Sequence, residues 1–155
     1  MENSPHLPTL WVSAAPFRYH VQHLMAATGV PWQVIAVAAD LPQQQVRTLL
    51  FGRDGHRRPR LSPYAARRLL ALDALQLRKL QVRDLPAHFV TDSADALLAH
   101  GVTLVEIATW LDLDLYSTRR LVSGAGQCSR TMDIMLRLAC VQRGLLTEPE
   151  SREVA

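Results

Sequence analysis

From Phe17 onward, apolar residues return every three or four positions and polar residues fill the gaps, the period of helices buried along one face. A first helix is predicted over Phe17 to Thr28, with Val21, Leu24 and Met25 on one side, Pro16 before it and Gly29 ending it. Pro31 opens a second helix, whose Val34, Ile35 and Ala38 point inward. Asp40-Leu41 makes a turn, and Pro42 starts a third helix that buries Val46, Leu49 and Leu50 before Gly52. A loop and a fourth helical stretch, Ser62 to Leu72, complete the unit.

The pattern then recurs. Displaced by 72 positions, Gly29–Gly52 aligns without a gap on Gly101–Gly124, with nine identities. They include the glycines at both ends, Ile35/Ile107, Ala36/Ala108 and Asp40-Leu41/Asp112-Leu113. Leu- and Ala-rich helices align by chance at two or three positions, but not at both ends and the central turn together. Ile107, Ala108, Leu111, Leu113, Thr118 and Leu121 take the inward places of the second copy, flanked by helical segments at Thr91 to His100 and Arg130 to Leu145. The expected fold is all-α: two tandem helix-turn-helix units of about four helices each, joined by a helical connector. The expected segments are an N-terminal arm (1–15), a first unit (16–72), a connector (73–90), a second unit (91–146) and an acidic tail (147–155).

Composition supports helices and narrows the chemistry. Leu, Ala and Val dominate the 48% apolar residues and aromatics are 6%, which favours aliphatic helix packing over a sheet. Cys128 and Cys140 cannot make a disulfide framework and read as structural thiols. The histidines are scattered; His20 and His23 share a helix face without a third ligand nearby and read as polar surface. Ser123 in VSGAG lacks the strand before it that a nucleophile elbow needs, and no glycine-rich phosphate loop occurs. No enzyme, catalytic residue, cofactor, metal site or small-molecule substrate is therefore expected. No apolar run is long enough to cross a membrane, and the N-terminus lacks a leader pattern, so a soluble cytoplasmic protein is expected.

The net charge of +3 hides an asymmetry. Residues 16–84 hold eleven Arg and Lys against four Asp, a net +7, whereas residues 85–146 come to −1. The basic excess sits where a helix-turn-helix meets duplex DNA. Gln43, Gln44, Arg47 and Thr48 occupy the N-terminal half of the third helix, where side chains reach base edges; Gln pairs with adenine and Arg with guanine. Gln33, at the start of the second helix, suits a phosphate. The Gly/Pro loop that follows carries Arg53, Arg57, Arg58 and Arg60, kept extended by Pro59 and Pro63, for a phosphate backbone or a narrow minor groove. In the second unit Tyr116, Arg119, Arg120 and Arg130 are the corresponding candidates, but no arginine loop is present. That unit either binds a second DNA segment or has become a packing or dimerisation module. Trp11, Trp32 and Trp110 read as core or staple residues, Trp11 pinning the arm onto the first unit.

The stretch from Trp11 to Arg53 and its continuation LSPYAARRLLAL resembles helix-turn-helix DNA-binding proteins common in actinobacteria and their temperate phages. The resemblance is carried by Trp11-Val12, His20, Leu24-Met25-Ala26, Gly29, Ile35-Ala36, Leu49-Leu50-Phe51-Gly52-Arg53 and the closing Ala66, Leu69, Leu70 and Ala71. Asp92 to Leu145 looks like the second, weaker helix-turn-helix that such proteins often carry. The chain departs from the pattern at Asp40, where a turn glycine is common, and at Leu115-Tyr116, where polar readers are expected. The resemblance implies a transcriptional regulator of the phage-repressor kind. The expected function is sequence-specific binding of double-stranded DNA, by a monomer on an asymmetric site or by a dimer of the chain on a palindrome. The alternative is an adaptor that docks on the transcription machinery through the second unit.

Overall fold

A computed structural model of the chain describes residues 11–145, and in these the fold is all-α, with nine helices and four two-residue strands. The arm's first ten residues and the acidic tail lie outside the described residues. The chain divides into two compact units, with the boundary between Lys79 and Leu80, at the last residue of the helix that ends the first unit.

In the first unit, strand β1 (Val12–Ser13) leads into α1 (Ala15–Thr28), α2 (Trp32–Ala38), α3 (Gln43–Phe51), strand β2 (Arg60–Leu61), α4 (Pro63–Leu70) and α5 (Ala74–Leu80). Pro16 sits in the first turn of α1, and Gly29, at φ 73°, closes it by donating to Met25 O. Pro31 and Pro42 stand just outside α2 and α3 as their caps, not inside as the sequence suggested, because their extended ψ cannot join a helix. α1 packs on α2, α3 and α4, enclosing Val21, Val34, Ile35, Val46 and Leu69. Ala39, not Ala38, is the buried alanine at the end of α2.

Two features of this unit were not visible as helical periodicity. β1 pairs antiparallel with β2, Val12 opposite Leu61, and the Ala14 N–H donates to Pro59 O at 2.9 Å. The residues before α1 and those before α4 thus form one short ribbon. The His20 ring nitrogen lies 3.1 Å from Leu69 O and 3.2 Å from Leu72 O, so His20 ties α1 to the end of α4 and is not polar surface; His23 is exposed.

The second unit repeats the order: β3 (Leu85–Pro86), α6 (His88–Ala99), α7 (Leu104–Leu111), α8 (Leu115–Val122), β4 (Gln127–Cys128) and α9 (Arg130–Gln142). β3 pairs antiparallel with β4, and the Ala87 N–H reaches Gly126 O at 3.2 Å, the counterpart of the Ala14 bond. Residues 85–90 therefore belong to this unit and not to a connector: backbone hydrogen bonds and the buried Ala87 and Val90 hold them there. Ser62 caps α4 and Ser129 caps α9 in the same way, each accepting from the N–H three residues on. The core gathers Val90, Leu97, Ile107, Leu121, Leu136, Cys128 and Cys140. Burial pushes both thiols up in pKa, which leaves them protonated packing groups.

Candidate nucleic-acid interface

The two short helices at the centre of each unit are joined by the same device. Asp40 (φ 55°) and Asp112 (φ 54°) adopt the left-handed conformation. The next N–H, of Leu41 or Leu113, reaches back five residues to Ala36 O (2.9 Å) or Ala108 O (3.0 Å). Ala36 and Ala108 are buried beneath this turn, where a larger side chain would separate the helices. Asp is among the few side chains that tolerate such a φ, so its presence where glycine is common costs little. In the first unit Arg68 secures the turn, donating through Nε to Ala39 O at 2.7 Å and lying 3.9 Å from the Asp40 carboxylate.

The third helix of the first unit, α3, then presents a restricted set of side chains. Gln44 and Arg47 are exposed. Thr48 is not: it is 6% exposed, and its Oγ1 accepts the Gln44 side-chain amide at 3.3 Å, so it is a weaker candidate for base contact than Gln44 and Arg47. Gln43 is turned away from the open face. Its Nε2 donates to Gln33 O at 3.0 Å, and its Oε1 is buried without a partner among the described residues. Gln33 is half-buried, its carbonyl occupied by that bond. Helical spacing places Gln43, Gln44, Arg47 and Thr48 in one segment, but only the packing of α2 against α3 decides which of them are free.

The arginine loop begins with a closed turn where the sequence suggested an extended course throughout. Gly52 leaves α3 at φ 77°, and a Cβ on it would lie 2.5 Å from His56 O, so no other residue fits. Arg53 and His56 exchange backbone hydrogen bonds of 2.8 and 2.9 Å around Asp54 and Gly55, both with positive φ. β2 then fixes Arg60. The side chains of Arg53, Arg57, Arg58 and Arg60 remain exposed. Of these, Arg53, Arg58 and Arg60 line one shallow groove of about 300 Å³ together with Gln44, Gln45, Thr48 and Trp11. Trp11 is 44% exposed and walls this groove, and the pairing of Val12-Ser13 with β2 holds the arm beside it.

The second unit has a groove of about 330 Å³ at the equivalent place, lined by Tyr116, Ser117, Arg120, Gln127 and Arg83. Shifted by 72 positions, Gln44, Gln45 and Thr48 become Tyr116, Ser117 and Arg120. Tyr116 is 68% exposed, and the Arg120 guanidinium lies 6.0 Å from its ring centre. Arg119 is exposed as well. Arg130 is engaged: with Arg137 it binds the buried Asp133 carboxylate, at 3.1 and 2.7 Å, and so is a weaker candidate than its position suggested. At the start of α8 the Asp114 carboxylate accepts from the Ser117 N–H at 2.6 Å and the Ser117 hydroxyl at 3.1 Å. These bonds hold its pKa below the ordinary carboxylate value.

Sequence reasoning missed Gln45, Arg83 and Gln127, which line the grooves, and Arg18 of α1, which is buried. Arg18 lies on the same helical face as Val21 and Met25, which was a readable sign that it points inward. Among the described residues no group of three or more His, Cys, Asp or Glu could hold a metal, and no helix is long and apolar enough to cross a membrane. Comparison of the chain with known protein families, with curated proteins and with solved structures finds no match.

Proposed function

We propose that the chain is a sequence-specific double-stranded DNA-binding regulator whose first unit does the reading. The observation that carries this is one groove in which Arg53, Arg58 and Arg60 stand beside the exposed Gln44 of α3. A helix-turn-helix lays its third helix in the major groove, about 12 Å wide, with a phosphate strand at either edge. Arginines immediately flanking that helix meet the bordering phosphates, and so the backbone reading of Arg53, Arg58 and Arg60 is preferred to insertion in the minor groove. Gln44 and Arg47 would contact bases. Action as a cytoplasmic repressor, of the phage-immunity kind, follows from the resemblance in sequence.

A second reading, an adaptor for a protein of the transcription machinery, is favoured by different residues. α8 exposes Leu115 and Tyr116, 46% and 68% accessible, behind the carboxylate of Asp114, a surface better suited to a protein than to phosphate. Retention of a mixed duplex pool at two salt concentrations separates the two. The DNA reading predicts retention at low salt that falls steeply as salt rises. No retained duplex at low salt would leave the adaptor reading.

A further inference from the structure

We infer that Arg18 is a positioning residue that sets the arginine loop against the reading helix, an inference that rests on the DNA-binding reading above. Arg18 belongs to α1 and is only 9% exposed. Its Nε donates to Leu49 O at 2.7 Å and its Nη2 to Arg58 O at 3.3 Å. One guanidinium thereby joins the last turn of α3 to the middle of the loop.

The acceptor on α3 is a carbonyl that the helix itself has abandoned. In a continuing helix the Arg53 N–H would bond Leu49 O, but the turn at Gly52 diverts it to His56 O. The Arg18 cation fills that vacancy at the negative end of the helix dipole. The loop is tied at its start by the Arg53–His56 pair and at its end by the Ala14–Pro59 bond; Arg18 supplies the tie between them. Four exposed guanidiniums in one short loop repel each other and would spread if it were free.

No ion pair calls for this residue. Among the described residues no carboxylate pairs with Arg18, so its buried guanidinium is held by the carbonyls of Leu49 and Arg58, and a methionine of similar length would fill the space but leave both acceptors without it. The second unit supplies the control. Counted from the ribbons, where Ala14 matches Ala87, the place on α6 that matches Arg18 is Thr91, and by the 72-residue displacement it is Val90; neither is a cation, the Thr91 methyl carbon lies 3.7 Å from where a Cβ on Gly124 would be, and the loop beside it, residues 123–126, has no arginine. The cation is present where an arginine loop must be held and absent where there is none. A loop fixed before binding loses less conformational freedom when its arginines meet phosphates, and that difference appears as affinity.

The test compares Arg18→Met and Arg18→Lys in two backgrounds, the unaltered chain and a chain with Arg53, Arg57, Arg58 and Arg60 all changed to Ala. Binding is measured to a duplex selected from a random pool, and amide hydrogen exchange at Arg53 and His56 is followed in the free protein. In the unaltered background Arg18→Met lowers affinity about tenfold and speeds both amides; Arg18→Lys, which keeps the charge but loses the fork, falls between. In the loop-alanine background Arg18→Met changes affinity no further, because the side chains it positioned are gone. An equal loss in both backgrounds would mean that Arg18 acts by placing α3, and would overturn the inference. Unchanged exchange at Arg53 and His56 in both variants would overturn it as well. If the unaltered chain retains no duplex, the DNA reading fails by itself, while the exchange measurement still decides whether Arg18 holds the loop. Should Arg18→Met not fold, Arg18→Lys carries both measurements.

Discussion

In the first unit eight residues, 52–59, join the third helix to the ribbon strand; in the second, four residues, 123–126, make the same connection. The shorter link spans the same backbone plan, with matching ribbons, matching left-handed aspartates and matching serine caps. The extra length in the first unit is therefore not required to close the fold, and it is where Arg53, Arg57 and Arg58 are found. The helix starts differ in the same sense. α3 begins at Pro42 with no side-chain cap, leaving its first N–H groups open, whereas α8 begins at Asp114, which supplies its own anion. On the DNA-binding reading, the first unit leaves the start of its third helix to an outside anion, whereas in the second the Asp114 carboxylate already occupies that position.

The most severe test of this contrast is charge removal. Changing Arg53, Arg57, Arg58 and Arg60 to Ala should weaken duplex binding by about a thousandfold near physiological salt, and should flatten the logarithmic salt dependence by roughly 0.9 for each phosphate that is no longer neutralised. Arg83→Ala with Arg120→Ala, in the groove of the second unit, should change affinity by less than about threefold. Equal losses from the two sets would abolish the distinction between the units.

Core truncation asks whether the units stand as equals in stability. Ile35 and Ile107 are both fully buried, so Ile35→Ala and Ile107→Ala should each cost about 2–5 kcal/mol in urea denaturation. Only Ile35→Ala should also lower duplex binding at denaturant concentrations where the other variant still binds. A smaller contrast concerns reading. Gln44→Ala should lose about 1–3 kcal/mol of discrimination at one base pair, scored by selection from random duplex, while Tyr116→Ala should leave the consensus unchanged.

The smallest effect is that of pH. The folded pKa of Asp114 is depressed, first by the Ser117 N–H and then by the Ser117 hydroxyl. Its stabilisation is therefore complete above the ordinary value near 3.8 and is lost as pH falls from there through the depressed folded value. Acid titration of thermal stability should show this loss, and Asp114→Asn should flatten it. The first unit has Pro42 at the equivalent place and carries no such dependence there.

Much of this was legible in the residues. The helices of both units stand within a few residues of their expected limits because each follows from a local period, most of them with Pro, Gly, Ser, Thr or Asp at an end. The turn at Asp40 and its copy at Asp112 were legible because the repeat aligned them. The ribbons were not: two residues per strand are too few to show an alternating pattern. Nor was the division of labour within α3, where Gln43, Gln44 and Thr48 look alike as polar helix residues but only Gln44 is exposed.

The sequence by itself determined the all-helical class, the repeat and the concentration of positive charge in its first copy, since periodicity, end residues and charge are properties of neighbours along the chain. Only the tertiary structure decided which polar groups are free and which are already bound. Arg18 meets Leu49 and Arg58 across 31 and 40 residues of sequence, His20 meets Leu69 across 49, and Arg68 meets Ala39 across 29. Such bonds depend on how helices pack: helical spacing can show that Arg18 faces inward, but not which carbonyls it meets there.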